Sequence, residues 1–173
     1  MDLKETIRSI PDWPIKGVIF RDLTTLMQNP QAFQKSCNVL YERYKDMKID
    51  KIVGIDARGF VFGAVLAYKL GIGFVPVRKK GKLPWKTIQE TYSLEYGEDT
   101  LEIHEDAVEK CEKVIIVDDL IATGGTIGAT VKLVKKLGAD IIECAFVVEL
   151  PDLKGRDQIQ DCKVFAITEF EGE

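Results

Sequence analysis

One stretch of the sequence, residues 114–126, restricts the fold more than any other. It begins with four β-branched apolar residues at 114–117, a run typical of a strand that is covered on both faces of a parallel sheet. Two acids, Asp118 and Asp119, follow directly. A glycine-rich turn then opens a helix that is predicted to start near Thr126. The order predicts polar groups at the carboxyl end of a buried strand.

The turn itself has the composition of an anion site. Gly124 and Gly125 permit a tight turn with uncovered N–H groups, and Thr123 and Thr126 add hydroxyls beside the helix start. Free N–H groups and the helix dipole both favour an anion there. The two acids would repel that anion unless they face a sugar diol or a Mg²⁺ ion. The stretch therefore indicates a ribose 5-phosphate site, although a glycine pair alone fits an ordinary turn equally well.

The complete run of residues 114–126 resembles the phosphoribosyl pyrophosphate motif of the type I phosphoribosyltransferases. The resemblance implies that Asp118 and Asp119 face the ribose. It also implies five residues that hold the 5-phosphate: Ala122, Thr123, Gly124, Gly125 and Thr126.

The remaining pattern predicts an α/β fold. Nearly half of the 173 residues are apolar, so we expect one domain spanning residues 1–173. Strand and helix patterns alternate, which predicts a mostly parallel central sheet with helices on both faces. The predicted strands are 51–55, 74–77, 114–117, 141–150 and 163–168, and the predicted helices are 30–47, 61–70 and 126–137.

The N-terminal region is predicted to combine a short helix with a loop. Leu3, Ile7 and Ile10 recur at helical spacing, which indicates a short amphipathic helix. In residues 17–24, Phe20 stands between apolar residues and a charged pair, as in a loop pinned onto the core or in one wall of a pocket. The composition alone favours the pinned loop.

A lid and a hairpin are predicted in the middle of the chain. Residues 78–90 combine basic side chains with glycine and proline and show no periodicity, which indicates a long, flexible loop. Such a loop is either a lid over the active site or a solvated charged segment. Residues 91–96 and 101–103 alternate at period two on either side of residues 97–99, which predicts a β-hairpin with its turn at 97–99.

Charge and cysteine content exclude several classes of function. The net charge of −4 with one histidine argues against a nucleic-acid binder. The four cysteines lack Cys-x-x-Cys spacing, which favours neither a zinc site nor a redox dithiol and fits a reducing cytosol. No apolar run approaches the ~18 to 20 residues that cross a bilayer. We expect a cytoplasmic protein that binds no membrane, with His104 at the surface.

Three further segments resemble the branch of this family that acts on adenine: residues 17–22, 56–60 and 92–97. Their order and spacing fit, as do residues 148–150 followed by 153–156. The resemblance implies that adenine and phosphoribosyl pyrophosphate are converted to AMP and pyrophosphate in purine salvage. Mg²⁺ is the implied cofactor, held mainly by substrate and water without a direct protein ligand, and the implied assembly is a homodimer.

The resemblance also implies a binding slot for the base. Phe20 would stack on adenine, with Leu150 closing the opposite face. Ile19 and Arg21 would contribute backbone contacts. An apolar slot with backbone hydrogen-bond partners suits a neutral purine.

Basic residues are implied on the pyrophosphate side. Arg58 follows a predicted strand, at the sheet edge where α/β proteins bind ligands, and its planar guanidinium suits phosphate oxygens. The resemblance assigns Arg58 to pyrophosphate and to catalysis, and predicts a cis peptide bond between Asp56 and Ala57. Arg78, Lys79 and Lys82 would also reach the pyrophosphate, across a dimer interface in one arrangement.

Glu95 is the second implied catalytic residue, and neighbouring Tyr96 belongs to the implied phosphoribosyl pyrophosphate site. Glu95 would either accept the purine proton or stabilise positive charge on the ribose, and the sequence leaves both roles open. Trp85 departs from the family pattern, which more often has glycine after Lys-Leu-Pro.

Three alternatives fit less well. A phosphoribosyl pyrophosphate-binding regulator would need a DNA-binding segment, and the sequence has no basic helix-turn-helix pattern. A transferase for 6-oxopurines or orotate would call for a donor such as lysine near Leu150, where the sequence is apolar. A P-loop nucleotidase is disfavoured because no lysine follows the glycines.

Overall fold

From residue 51 onward the chain combines strand–helix–strand units with an inserted β-hairpin, as the sequence predicts. The computed structural model describes residues 1–94 and 97–172. The strands are β1 (Arg8–Pro11), β2 (Ile19–Asp22), β3 (Lys51–Ile55), β4 (Gly73–Lys79), β5 (Thr87–Leu94), β6 (Gly97–His104), β7 (Lys113–Ile121), β8 (Asp140–Glu149) and β9 (Val164–Glu169). The helices are α1 (Thr24–Gln28), α2 (Pro30–Tyr44), α3 (Arg58–Leu70) and α4 (Gly125–Lys136), and short 3₁₀ turns cover Lys4–Thr6, Pro151–Leu153 and Gly155–Ile159.

Seven strands form the main sheet in the order β5-β6-β4-β3-β7-β8-β9. Five neighbouring strands pair in parallel: β4, β3, β7, β8 and β9. The β5–β6 hairpin joins the edge of β4 in antiparallel orientation. The prediction of a mostly parallel sheet is confirmed, and β7 lies near its centre.

Strand β7 is covered on both faces because successive side chains of a strand point to opposite sides. Ile115 and Val117 pack in one core with residues of α2 and α3. Val114 and Ile116 pack in a second core with residues of α4. All four side chains are fully buried. Residues 114–117 are therefore all apolar because both faces of β7 are buried.

The helix boundaries follow the expected capping signals. The side chain of Asn29 accepts hydrogen bonds from the first turn of α2, and Pro30 occupies its first position. Helix α2 ends at Tyr44, three residues before the predicted end. Gly71 closes α3 with φ 69°, a left-handed conformation that favours glycine. In the described part of the chain, no helix is long and apolar enough to cross a membrane.

The predicted N-terminal helix is wrong. Leu3 and Ile7 are buried as expected, but only one 3₁₀ turn lies between them. Residues 8–11 instead form β1, which pairs antiparallel with β2 over Ile19–Asp22. Helical spacing over seven residues is too short a signal to exclude a strand that finds a partner. The preferred pinned loop at residues 17–24 is likewise replaced by β2 and the start of α1.

The predicted loop and hairpin turn are also corrected. Strands β4 and β5 leave only residues 80–86 as the connection, so the loop is shorter than predicted. Residues 97–99 belong to β6, with Gly97 opposite Leu94, and do not form the turn. Glycine and polar residues on an exposed strand have the same composition as a turn, so the sequence pattern did not distinguish the two. His104, predicted at the surface, is half-buried with its ring 6.3 Å from that of Trp85.

A buried ion pair anchors α2 to β8. Glu143 accepts hydrogen bonds from Arg43 Nε at 2.6 Å and Nη2 at 2.7 Å, and from the Tyr44 hydroxyl at 2.6 Å. Burial acts to raise the pKa of Glu143, but the hydrogen bonds from Arg43 and Tyr44 outweigh it and hold this pKa below the ordinary value of 4.5. The carboxylate therefore stabilises the folded chain.

Glu143→Ala is expected to lower the free energy of unfolding by about 2 to 3 kcal/mol, because the buried Tyr44 hydroxyl and Arg43 lose their acceptor. Glu42→Ala is the control. It removes an exposed pair with Lys45 and should cost less than about 0.5 kcal/mol. Because the folded-state pKa of Glu143 is lowered, its contribution is present above pH 4.5 and fades as pH falls below it. Urea unfolding of both variants measures this, and equal losses would contradict it.

Candidate active site

The acid pair lies at the carboxyl end of β7, within the strand. Asp118 is paired with Phe146 of β8, and the strand continues to Ile121. Asp119 is 4% exposed, whereas Asp118 is half-buried. Residues 122–124 then connect β7 to α4. The predicted order of strand, acids, glycine turn and helix is confirmed, with the acids slightly earlier than expected relative to the strand end.

A cavity of about 320 Å³ opens at this edge of the sheet. Its volume is within the range of small-molecule sites. One wall is the start of α3 and the other is the end of β7 with the glycine turn. Eight residues of the predicted phosphoribosyl pyrophosphate site line it: Arg58, Asp118, Asp119, Ala122, Thr123, Gly124, Gly125 and Thr126.

Arg58 contacts the acid pair directly. Its Nε donates to Asp119 Oδ2, while Asp118 Oδ1 accepts from the Asp119 backbone N–H at 2.8 Å. Gly59 allows this approach, because a Cβ there would lie 2.8 Å from Asp118 Oδ1 and from the Val117 carbonyl. Thus Asp119 is paired with Arg58, and Asp118 is the acid without a cationic partner at hydrogen-bonding distance among the described residues.

The pKa of Asp118 reflects its burial beside a second carboxylate without a paired cation. Burial raises its pKa well above the ordinary value of 3.8, and the neighbouring Asp119 carboxylate raises it further. The Asp119 N–H and the more distant Arg58 charge offset only part of that rise. A carboxylate with a raised pKa in a cavity is characteristic of functional sites.

The glycine turn is interlocked with the C-terminal part of the chain. Gly124 has φ 84°, and a Cβ at this position would lie 2.3 Å from the Gly155 carbonyl. Conversely, a Cβ at Gly155 would lie 2.4 Å from the Ala122 carbonyl. Arg156 donates to the buried Glu149 at 2.6 and 2.5 Å, which fixes the segment next to the turn. Neither segment has room for a side chain at the contact.

The β5–β6 hairpin contacts the other side of the turn through Tyr92. A Cβ on Gly125 would lie 3.0 Å from the Tyr92 ring, and the Tyr92 hydroxyl accepts from Thr126 Oγ1 at 3.4 Å. The same hydroxyl lies 3.4 Å from Asp99, which pairs with Lys79 at 2.8 Å. The sequence interpretation included Tyr92 in a motif but assigned it no role.

A second cavity of about 280 Å³ adjoins the first. All four predicted base-binding residues line it: Ile19, Phe20, Arg21 and Leu150. Leu150 is 7% exposed, and its N–H donates to the Ile121 carbonyl at 3.0 Å, so β7 and this wall are joined. The lining is mainly apolar, as a slot for a flat uncharged ring requires.

The two cavities share three residues, Arg58, Leu120 and Ala122. A ligand that occupied both cavities would contact these three residues where the cavities meet. Leu120 was missed by the sequence interpretation, although its place directly after the acid pair was a usable signal.

The remaining predicted site residues are absent from the lining of both cavities or lie outside the described chain. Arg78 Nε donates to Asp56 at 3.1 Å, and the Lys82 carbonyl accepts from Arg78 at 3.4 Å. With Lys79, these residues form a basic rim that lines neither cavity. The predicted cis peptide bond between Asp56 and Ala57 is present. Glu95 and Tyr96 lie outside the described residues.

Comparison with known proteins defines the class. Residues 22–173 match the phosphoribosyl transferase domain family, and the chain belongs to this family. Its relatives place it in the adenine phosphoribosyltransferase branch. The adenine phosphoribosyltransferase of Desulfosudis oleivorans is 67% identical over 173 residues, which is 100% of both chains.

Solved structures agree with this placement. The adenine phosphoribosyltransferase of Thermoanaerobacter pseudethanolicus has a TM-score of 0.93 at 48% identity, covering 97% of this chain and 98% of that one. The enzyme of Saccharomyces cerevisiae, complexed with an imino-altritol bisphosphate and adenine, has a TM-score of 0.90 at 45% identity, covering 95% and 96%. The predicted type I fold is confirmed.

Asp118→Asn is expected to raise the thermal stability of the unliganded protein at neutral pH. Because the folded-state pKa of Asp118 is raised, its ionisation costs stability, and this cost grows as pH rises above 3.8 through the folded-state value. The gain should be on the order of 1 kcal/mol. The same change should weaken binding of ribose 5-phosphate, since an amide offers a diol fewer acceptors.

Thermal unfolding between pH 4 and pH 8 and calorimetric titration with ribose 5-phosphate measure the two effects. Asp140→Asn, an exposed acid at the opposite end of β8, is the control and should change neither. A destabilised Asp118→Asn protein would contradict the assigned charge state.

Proposed function

We propose that this chain catalyses the transfer of phosphoribose from phosphoribosyl pyrophosphate to adenine, giving AMP and pyrophosphate in purine salvage. The observation that carries the proposal is the junction of two unlike cavities at Arg58, Leu120 and Ala122. One cavity has acids and a glycine turn, and the other is mainly apolar. A nucleoside monophosphate has the same two halves, joined at the C1′ atom.

The polar cavity suits the sugar phosphate. The N–H groups of the turn at residues 122–126 and the N-terminus of α4 favour the 5-phosphate. Asp118 and Asp119 offer carboxylate oxygens to the ribose hydroxyls. The Trypanosoma brucei adenine phosphoribosyltransferase, whose structure contains AMP, pyrophosphate and ribose-5-phosphate, has a TM-score of 0.89 with this chain, which supports the assignment.

The apolar cavity suits adenine. Phe20 and Leu150 line it and would pack on the two faces of the ring, while Ile19 and Arg21 line it and would offer backbone groups at the ring edge. A 6-oxopurine or orotate would require a matching donor for its carbonyl oxygen, and an unmatched polar atom in such a slot is costly. The Leu150 side chain offers no such donor, which supports adenine as the base.

The chemistry follows from the charges at the junction. N9 of adenine attacks C1′ as the bond to the diphosphate breaks, so positive charge develops on the ribose and negative charge on the leaving group. Arg58 lines both cavities and can turn donors towards the leaving group while Asp119 orients it. Asp118 and Asp119 place negative charge beside the ribose. Glu95 is the proposed acid that either accepts the purine proton or stabilises the ring.

The basic rim would complete the diphosphate site. In the unliganded chain, Arg78 and Lys79 are paired with Asp56 and Asp99, and Lys82 is near Arg78. If these basic residues exchanged their acid partners for diphosphate oxygens, the rim would contact the leaving group. The contact could form within one subunit or across a homodimer. Tyr96 is proposed to belong to the same substrate site.

Mg²⁺ is the proposed cofactor. The described residues include no cluster of three acid, histidine or cysteine side chains that could hold a metal ion. Asp118 and Asp56 nevertheless line the polar cavity with oxygen donors, which fit the water shell that Mg²⁺ retains. A substrate-held ion is therefore compatible with this site. When bound, Mg²⁺ neutralises charge on the diphosphate.

We propose that residues 1–173 act as one domain within a cytoplasmic homodimer. Both cores include residues of β7, so the two faces of the sheet are joined through one strand. All four cysteines are free thiols, as a reducing compartment favours.

A base panel tests the proposed function. The protein with Mg²⁺ and phosphoribosyl pyrophosphate is expected to form a nucleotide from adenine and none from hypoxanthine, guanine or orotate. Chromatography of the nucleotide product measures this. Reaction with hypoxanthine and none with adenine would refute the substrate assignment and leave the family intact.

Glu95→Gln is expected to lower kcat about 10²- to 10⁴-fold, the usual contribution of a general acid or base. The matched control is Glu98→Gln, an exposed acid on β6, which should leave turnover unchanged. Steady-state AMP formation measures both variants. Nearly full turnover in Glu95→Gln would remove Glu95 from the mechanism.

A further inference from the structure

Trp13 lies against Phe20 and is not part of the lining of the apolar cavity. The two ring centroids are 4.5 Å apart with an interplanar angle of 66°, which is an edge-to-face contact. Phe20 lines the apolar cavity, whereas Trp13 does not. Trp13 is 50% exposed, so burial in the core does not account for a large aromatic residue here.

Phe20 depends on local contacts for its orientation. It lies on β2, which pairs only with β1 in a separate two-stranded sheet, with Ile10 opposite Phe20. A two-stranded ribbon is marginally stable by itself. In the part of the chain that the structure describes, Trp13 is the aromatic side chain in ring contact with Phe20. Trp13 is therefore an aromatic support for Phe20 that comes from the same ribbon.

The connection between β1 and β2 holds Trp13 at this position. The Trp13 N–H donates to the Val18 carbonyl at 3.2 Å, and the Val18 N–H donates to the Ile15 carbonyl at 3.2 Å. The Gly17 N–H donates to Asp12 Oδ1 at 2.7 Å, with Gly17 at φ 91°. These bonds hold the connection in one conformation. The backbone that carries the indole is thus fixed, although half of the Trp13 surface faces solvent.

We propose that Trp13 is a positioning residue that holds the Phe20 ring in the orientation that stacks on the base. This inference rests on the proposed function, because it requires adenine in the apolar cavity. Trp13 acts through Phe20 and does not touch the substrate. Fixing an aromatic wall before binding lowers the entropy lost when the base enters. Trp13 thereby contributes to affinity for the base and not for phosphoribosyl pyrophosphate.

Trp13→Ala is expected to raise the KM for adenine about 2- to 12-fold, from the usual strength of an aromatic pair, with the KM for phosphoribosyl pyrophosphate unchanged. Trp13→Phe keeps a ring in contact with Phe20 and should restore most of the affinity. Trp13→Leu keeps apolar bulk without a ring, should behave like Trp13→Ala, and replaces it if the alanine variant folds poorly. Equal increases in both KM values would show a general structural effect and overturn the proposal.

Tyr68→Ala is the matched control. Tyr68 is an aromatic residue near the end of α3 that is 86% exposed and lines neither cavity, so its replacement should leave the KM for adenine unchanged. A rise equal to that of Trp13→Ala would overturn the proposal, since the loss of any exposed aromatic side chain would then have the same effect.

A double-mutant cycle isolates the route through Phe20. Phe20→Leu alone should raise the KM for adenine, and adding Trp13→Ala to it should cause no further rise. Independent, multiplying effects would show that Trp13 does not act through Phe20. The experiments distinguish the proposed function from the role of Trp13. Wild-type protein that forms no AMP refutes the proposed function, whereas active protein with the same adenine KM in Trp13→Ala refutes only the role of Trp13.

Discussion

Coverage of β7 on both faces is the constraint on which the rest of the structure depends. With Ile115 in one core and Ile116 in the other, the middle of this strand has no surface on which to present polar chemistry. Polar groups are confined to its carboxyl end, where Asp118 and Asp119 stand. Parallel pairing with β3 then brings the start of α3, and therefore Arg58, to the same edge. The site is a consequence of how the sheet is buried.

The acid pair illustrates how stability and function oppose each other at this edge. Arg58 neutralises one carboxylate, while the other is kept in surroundings that disfavour its charge. The raised pKa of Asp118 means that its ionisation costs the folded chain stability, a cost that is common at functional residues.

The sequence predicted the elements whose formation depends on local pattern. It did not predict those whose formation depends on pairing with a distant strand. The apolar run at 114–117 and the capping signals around α2 led to correct elements because burial and capping leave direct marks on composition. Residues 8–11 became a strand only because β2 lies beside them, and no local pattern records a partner. Likewise, many residues that line the two cavities were predicted individually, but the ion pair between Arg58 and Asp119 and the place of Leu120 at the junction needed three dimensions.

The contact between Gly124 and Gly155 has a consequence for biosynthesis. The glycine turn follows β7 directly, yet one side of it is formed by residues more than thirty positions later in the chain. A nascent polypeptide that has released the turn from the ribosome still lacks the backbone against which that turn rests. The glycine turn therefore reaches its final packing only after residue 155 is free to fold, so a shortened translation product would carry the complete sequence motif without the backbone that packs against it.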